Sequence, residues 1–385
     1  MGTRGQLGSP SGEARRALGR VRRLVVKVGS GLITATGIGA DAARIAALAA
    51  DIVAIRPGRE VALVSSGAIV TGTARLALGE RPRSIPEKQA AAAVGQSALM
   101  WAYEIAFKTH GVPVGQVLLT AQDIAERTRY LNARNTLLTL LRLGVIPIVN
   151  ENDTVAVEEI KVGDNDNLSA LVASLIDADL LVILTDVDGL YTGNPEVDAG
   201  AHKLDTVPAV TEDIERLVWD RAERVSVGGM ATKLEAAQKA AASGIPMIIA
   251  SGTEPEVLRR LVAGEPLGTF FAPKADRLTA RKRWLAFAVP PQGRLTVDAG
   301  ALRALTLQGR SLLPSGVIEV EGNFTAGGVV AVVSQPDGKE FARGLVNFDA
   351  DELRRIRGAN TRDIETRLGY RSVDEVIHRD NLVIL

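Results

Sequence analysis

Two short segments concentrate more polar chemistry than a folded scaffold needs. Asn150-Glu151-Asn152-Asp153 follows an apolar run, and Gly163-Asp164-Asn165-Asp166-Asn167 opens a helical pattern; together they hold four acidic and four amide side chains. A helix cap uses one such residue, whereas an amino group or a metal–phosphate complex uses several. A calcium loop of the EF-hand type does not fit, because its Gly and terminal Glu are missing. Lysines and glycines gather in two further places, Lys27-Val28-Gly29-Ser30-Gly31 and Gly228-Gly229-Met230-Ala231-Thr232-Lys233. Small residues let backbone N–H groups approach an anion, and a lysine adds a fixed positive charge. The first is not a Walker A loop, and it also reads as a plain tight turn between strand and helix. Lys233 reads either as an anion contact at a helix N-terminus or as a solvated lysine in a first turn.

Several chemistries are excluded at once. The 385 residues contain no cysteine, so disulfides, thiolate catalysis and Cys-based metal sites are absent, which fits a reducing cytosol. His110, His202 and His378 are far apart and show no metal-ligand spacing. Lys plus Arg equals Asp plus Glu at 45 each, which argues against a chain whose first task is to coat nucleic acid or an anionic membrane. No apolar run reaches the length of a membrane span. Residues 1–22 are Arg-rich and lack an apolar core segment, so they are expected to form a disordered basic tail and not a secretion signal.

The elements that must position these residues alternate short β-branched runs with helical patterns, the sequence form of an α/β fold with a mostly parallel sheet. Strands are predicted at 24–28, 61–64, 114–119, 145–149, 180–184 and 247–250, nearly all continuously apolar, as when both sheet faces are covered. Helices are predicted at 41–55, 87–110, 131–143, 167–178, 230–243 and 254–263. The polar segments follow the strands, where open α/β sheets bind their ligands. Ser65-Ser66-Gly67-Ala68 and Thr185-Asp186-Val187-Asp188-Gly189 stand at two more strand ends. After Pro273 the texture changes. A catalytic domain is therefore expected over 23–273, a linker over 274–290, and a small β-rich domain over 291–385 with strands near 295–297, 317–320, 329–333 and 344–346.

Taken together the segments resemble those of bacterial glutamate 5-kinases of the amino acid kinase superfamily, which carry a C-terminal PUA domain. The resemblance spans residues 23–385. It rests on Val-Val-Lys-Val-Gly-Ser at 25–30, Ser-Ser-Gly-Ala-Ile at 65–69, Ala-Ala-Val-Gly-Gln at 92–96 and Leu-Asn-Ala-Arg at 131–134. It rests most on Asn-Glu-Asn-Asp at 150–153, Lys-Val-Gly-Asp-Asn-Asp-Asn-Leu-Ser-Ala-Leu at 161–171 and Gly-Gly-Met-Ala-Thr-Lys at 228–233. Arg-Lys-Arg-Trp at 281–284 and Gly-Asn-Phe at 322–324 match in the tail.

The resemblance implies a three-layer αβα sandwich followed by a PUA-like domain, and transfer of phosphate from ATP, with Mg²⁺, to the γ-carboxylate of L-glutamate, the first step toward proline. It implies that Lys27 and Lys233 neutralise phosphate with Asp166 holding them, that Ser66, Asp153 and Asn165 contact substrate, and that Asp153 meets the α-ammonium group. Lys27, Thr185, Asp186, Val227, Gly228, Gly229, Met230, Ala231, Thr232 and Lys233 then contact nucleotide. Ser226-Val227 stands where these kinases more usually have Gly-Thr. A cytoplasmic homo-oligomer inhibited by proline is the further implication, with no legible Mg²⁺ ligand. The fold also serves kinases of acetylglutamate, aspartate, carbamate and UMP. PUA modules often bind RNA, but residues 281–385 carry 15 basic against 13 acidic side chains, a weak footprint for nucleic acid. A catalytically dead sensor is disfavoured because both lysines and the acidic residues are present.

Overall fold

The computed structural model describes residues 10–35, 39–78, 82–155, 165–193, 195, 198, 200–219, 229–274, 282, 285–286, 289–335, 338–370 and 373–385. The chain divides into two compact units at Arg277/Leu278.

The first unit is built on an eight-stranded sheet. Its strands are β1 (Arg23–Val28), β2 (Glu60–Ser65), β3 (Val114–Leu119), β4 (Ile146–Glu151), β5 (Leu180–Thr185), β6 (Thr206–Val207), β7 (Met247–Ser251) and β8 (Thr269–Phe271). The spatial order is β3-β4-β2-β1-β5-β7-β8-β6, and only the β7–β8 pair is antiparallel. The six longer strands are those read from sequence: β3 coincides, β4 is shifted to begin one residue later and end two later, and the others are extended by a residue or two. Burial explains the legibility, since β5 and β7 are buried at every position. The short β6 and β8 were not foreseen, because two or three residues carry no readable period.

Helices cover both faces. Among them are α1 (Pro10–Ala17), α2 (Ala42–Ile55), α3 (Ala68–Arg75), α4 (Ile85–Lys108), α5 (Arg127–Arg142), α6 (Asn165–Leu175), α7 (Met230–Ala242) and α8 (Val257–Val262). Asp41 caps α2 through the amides of Ala43 and Arg44, and Ser84 with Glu87 closes a capping box on α4. Helices α3 and α4 touch backbone to backbone. A Cβ on Gly72 would lie 1.7 Å from the Ala91 carbonyl oxygen, and one on Gly95 would lie 1.8 Å from that of Ala68. Only glycine permits this approach, and it brings the α4 side chains up to the strand ends.

The N-terminal segment corrects the expectation of a disordered tail over 1–22. Residues 1–9 lie outside the described residues, but Pro10–Ala17 is helical and Leu18–Arg20 forms a 3₁₀ turn. Leu18 and Val21 join the core. Arg15 is 4% exposed, and its guanidinium donates to the carbonyls of Leu267 (2.8 Å), Asp205 (2.8 Å) and Gly268 (3.1 Å) beside the Phe270 ring. Basic composition suggests disorder only while the cations lack partners, and here carbonyls at the β6/β8 edge supply them.

The second unit has five strands, β9 (Gly293–Val297), β10 (Val317–Gly322), β11 (Val329–Ser334), β12 (Glu340–Leu345) and β13 (Leu382–Ile384), in the order β10-β9-β11-β12-β13. Leu295, Val297, Val330, Val332, Phe348 and Ile377 fill its core. The strand expected at 344–346 begins earlier, at Glu340, and β13 was not foreseen. Gly338, between β11 and β12, has a φ of +64°, a left-handed conformation that glycine adopts readily. Among the described residues no helix is long and apolar enough to cross a membrane.

Candidate active site

Strand order reverses beside β1, whose neighbours are β2 and β5, so the loops after these strands diverge and leave a crevice at their carboxyl ends. Lys27 is the penultimate residue of β1 and is 5% exposed. Asp166 is the second residue of α6 and has no exposure. Lys233 stands in the first turn of α7 and is 4% exposed. The three side chains meet. Lys27 Nζ lies 2.6 Å from Asp166 Oδ1, and Lys233 Nζ lies 3.1 Å from Asp166 Oδ2. The Thr232 hydroxyl donates to the same Oδ2 at 2.9 Å.

Burial alone would raise the Asp166 pKa, but the two ammonium charges and their hydrogen bonds outweigh it and hold the carboxyl below its ordinary value of 3.8. The first-turn position on α6 favours the anion as well. Among the described residues this buried group sets two ammonium charges against one carboxylate, an attraction for an incoming polyanion. Helices α6 and α7 are locked together behind this group. Asn167 donates to Glu235 Oε2 at 2.9 Å and accepts from Lys239 Nζ.

A second cluster lies at the ends of β2 and β4. Asn165 Nδ2 faces three acceptors: Ser66 Oγ at 2.8 Å, Asn150 Oδ1 at 2.9 Å and the Ser65 carbonyl at 3.2 Å. Asn150 in turn accepts from the Glu151 amide at 2.9 Å and donates to Gln96 Oε1 at 2.9 Å. Gly67, with φ +106°, makes the turn that presents Ser66 ahead of α3, a conformation that side chains resist. Ser65 Oγ lies 2.9 Å from the hydroxyl of the fully buried Tyr103, whose pKa burial pushes well above its ordinary value.

The structure thus brings Lys27, Asp166, Thr232 and Lys233 together, and separately joins Ser66 to Asn165. Asp153 is half-buried in the turn two residues beyond β4. Thr185 is buried at the end of β5, where its hydroxyl donates to Asp186 Oδ1 at 2.9 Å. Asp186 lines a cavity of about 510 Å³ with Val28, Leu184, Arg44 and Gly252. Gly229 caps α7, and its carbonyl lies 2.8 Å from the Thr232 hydroxyl as an alternative acceptor to Asp166; Met230 is half-buried and Ala231 exposed. Val227 and Gly228 lie outside the described residues. Sequence reasoning quoted Asn150 and Gln96 within motifs but gave neither a part. An amide in the interior of a helix, following Ala-Ala-Val-Gly, was the signal that could have marked Gln96.

The amino acid kinase family profile matches residues 22–251, and the PUA domain profile matches residues 293–368. A glutamate 5-kinase of Moorella thermoacetica is 52% identical over 374 residues, covering 97% of this chain and 99% of that protein. One of Syntrophotalea carbinolica is 51% identical over 368 residues, covering 95% and 98%. One of Myxococcus xanthus is 52% identical over 371 residues, covering 96% and 98%.

Proposed function

The chain belongs to the amino acid kinase family, among the glutamate 5-kinases, and from that membership we propose how its residues carry out the transfer. The protein is a glutamate 5-kinase: it moves the terminal phosphoryl group of ATP to the side-chain carboxylate of L-glutamate, the first step of proline biosynthesis. The nucleophile is an oxygen of that carboxylate. It attacks phosphorus, the bond to the ADP oxygen breaks, and γ-glutamyl phosphate and ADP leave. A carboxylate of this kind is ionised at neutral pH, so no general base is required.

The obstacle is repulsion between an anion and a polyphosphate, and the observation that carries the reading is the buried Lys27–Asp166–Lys233 group. Its two ammonium groups neutralise charge on the transferred phosphoryl group, and Asp166 keeps both at fixed positions so that little reorganisation accompanies the reaction. The first-turn amides of α7, beginning after Gly229, face phosphate oxygens alongside Lys233. Ser66, Asn165 and Asp153 hold the amino acid, with Asp153 on its ammonium group. Thr185 and Asp186 border the nucleotide. Among the described residues no group of three acidic or histidine side chains could hold a metal ion. Mg²⁺ brought with the nucleotide would add cationic stabilisation of the transferred phosphoryl group beside Lys27 and Lys233, and phosphate oxygens and water would be its main ligands.

ADP release measured with glutamate, aspartate, acetylglutamate, carbamate and UMP as acceptors tests the reading. Glutamate alone should support turnover, and hydroxylamine should trap its acyl phosphate. Turnover with UMP and none with glutamate would overturn it.

A further inference from the structure

Gln96 sits inside α4, where a buried side chain is ordinarily apolar. It is 9% exposed, and it follows Gly95, the residue that seats α4 on the α3 backbone. Its Oε1 accepts from Asn150 Nδ2 at 2.9 Å, and Asn150 is itself only 3% exposed. Amide groups can be turned over by exchanging donor for acceptor, so what fixes each one matters. The Glu151 backbone N–H must donate, so it takes Asn150 Oδ1 at 2.9 Å, and Gln96 takes the other end of the same amide. Asn150 Oδ1 is thereby turned toward Asn165, whose Nδ2 faces it at 2.9 Å together with Ser66 Oγ and the Ser65 carbonyl. The Asn165 amide can then point only one way. Its Oδ1 is buried and has no hydrogen-bond partner among the described residues. A buried carbonyl oxygen without a donor is costly, which suits a site completed by a ligand N–H.

We infer that Gln96 is a positioning residue for amino-acid selection: through Asn150 it orients the Asn165 amide so that Oδ1 receives the ammonium group of the acceptor substrate. The inference rests on the assignment of Asn165 to the glutamate site and adds what sets its direction. Gln96 itself touches no substrate. With the Gln96 acceptor removed, Asn150 Nδ2 is left a buried donor without its partner, so the Asn150 side chain shifts to find another and its Oδ1 no longer meets Asn165 squarely. Asn165 then keeps the Ser65 carbonyl and Ser66 Oγ as acceptors but loses the third contact that holds its Oδ1 on the substrate ammonium group.

The experiment compares Gln96→Leu with Gln96→Glu in the full-length protein, using glutamate and glutarate, which is glutamate without the ammonium group. Q96L should raise the glutamate KM by about 10-fold or more while the ATP KM stays within about two-fold of the parent. Glutarate turnover, slow in the parent, should change little, so the preference for glutamate over glutarate falls. Q96E keeps an acceptor oxygen for Asn150 and should retain most of the parental preference. If Q96L fails to fold, Gln96→Met fills the same volume and is read by the same ratio. An unchanged glutamate-to-glutarate preference in a folded Q96L or Q96M protein overturns the inference, as does a Q96E protein that loses the preference as fully as Q96L. A parent that does not phosphorylate glutamate at all defeats the kinase assignment instead, so the two failures are distinguishable.

Discussion

Lys27 and Lys233 approach opposite oxygens of one carboxylate, at 2.6 and 3.1 Å from Asp166, although one lysine ends a strand and the other begins a helix. A shared counter-ion allows two cations to be held side by side without their mutual repulsion opening the site. It also means that each lysine keeps hydrogen-bonding capacity for a second anion, since an ammonium group has three donors.

Lys27→Ala and Lys233→Ala should each lower kcat by about 10²–10³-fold, the range seen when one charge-stabilising group is removed from a water-poor site. Both proteins should fold, because Asp166 retains the other lysine as partner. A folded variant with near-parental turnover would show that its lysine is structural.

Asp166→Asn should be inactive and less stable. The carboxyl is held below its ordinary value of 3.8, so its stabilising contribution is fully present above the unfolded-state pKa and is lost as the pH falls through the lower folded-state value. The melting-temperature deficit of D166N relative to the parent should therefore be constant between about pH 5 and pH 8 and begin to close only below about pH 4. Closure already between pH 6 and pH 5 would mean that the two lysines do not hold the carboxyl down.

Most of the frame was legible because buried parallel strands are long apolar runs with small polar residues at their carboxyl ends. Lys27 and Lys233 were readable as lysines in glycine-containing segments, one at a strand end and one at a helix start. Their meeting at Asp166 was not derivable from spacing, because residues from a strand and two helices come together only through the sheet order. The Asn165–Asn150–Gln96 chain was hidden for a different reason. A glutamine surrounded by alanines looks like helix surface until the contact at Gly72 and Gly95 turns that face inward. Arg15 escaped because its partners are backbone carbonyls, which have no sequence signature at all.

Arg15→Ala should destabilise the first unit by about 2–3 kcal/mol, since it leaves several buried carbonyls without donors. Arg15→Lys should recover only part of this, because an ammonium group lacks the planar fork that reaches Leu267, Asp205 and Gly268 together. Urea titration at neutral pH reads both. Parental stability in R15A would return the segment to the status of a loose tail.

Asp153→Asn should weaken glutamate far more than ATP. Asp153 is assigned to the α-ammonium group, and a neutral amide does not replace a carboxylate there. A charge-assisted hydrogen bond contributes about 1.5–3 kcal/mol, or one to two decades of apparent affinity. If Asp153 serves only the turn after β4, asparagine would do nearly as well, since both residues suit such turns, and the glutamate KM would hardly move. Proline gives a second reading of the same position. It too carries an ammonium group beside a carboxylate, and if it competes for the glutamate site, as the resemblance to glutamate 5-kinases implies, it should lose potency in step with the substrate. The expected result in one D153N preparation is a glutamate KM and an inhibitory proline concentration that rise together by about 10- to 100-fold, with the ATP KM unchanged. A matched rise in ATP KM would place the damage in the fold around β4 and not in the ammonium contact.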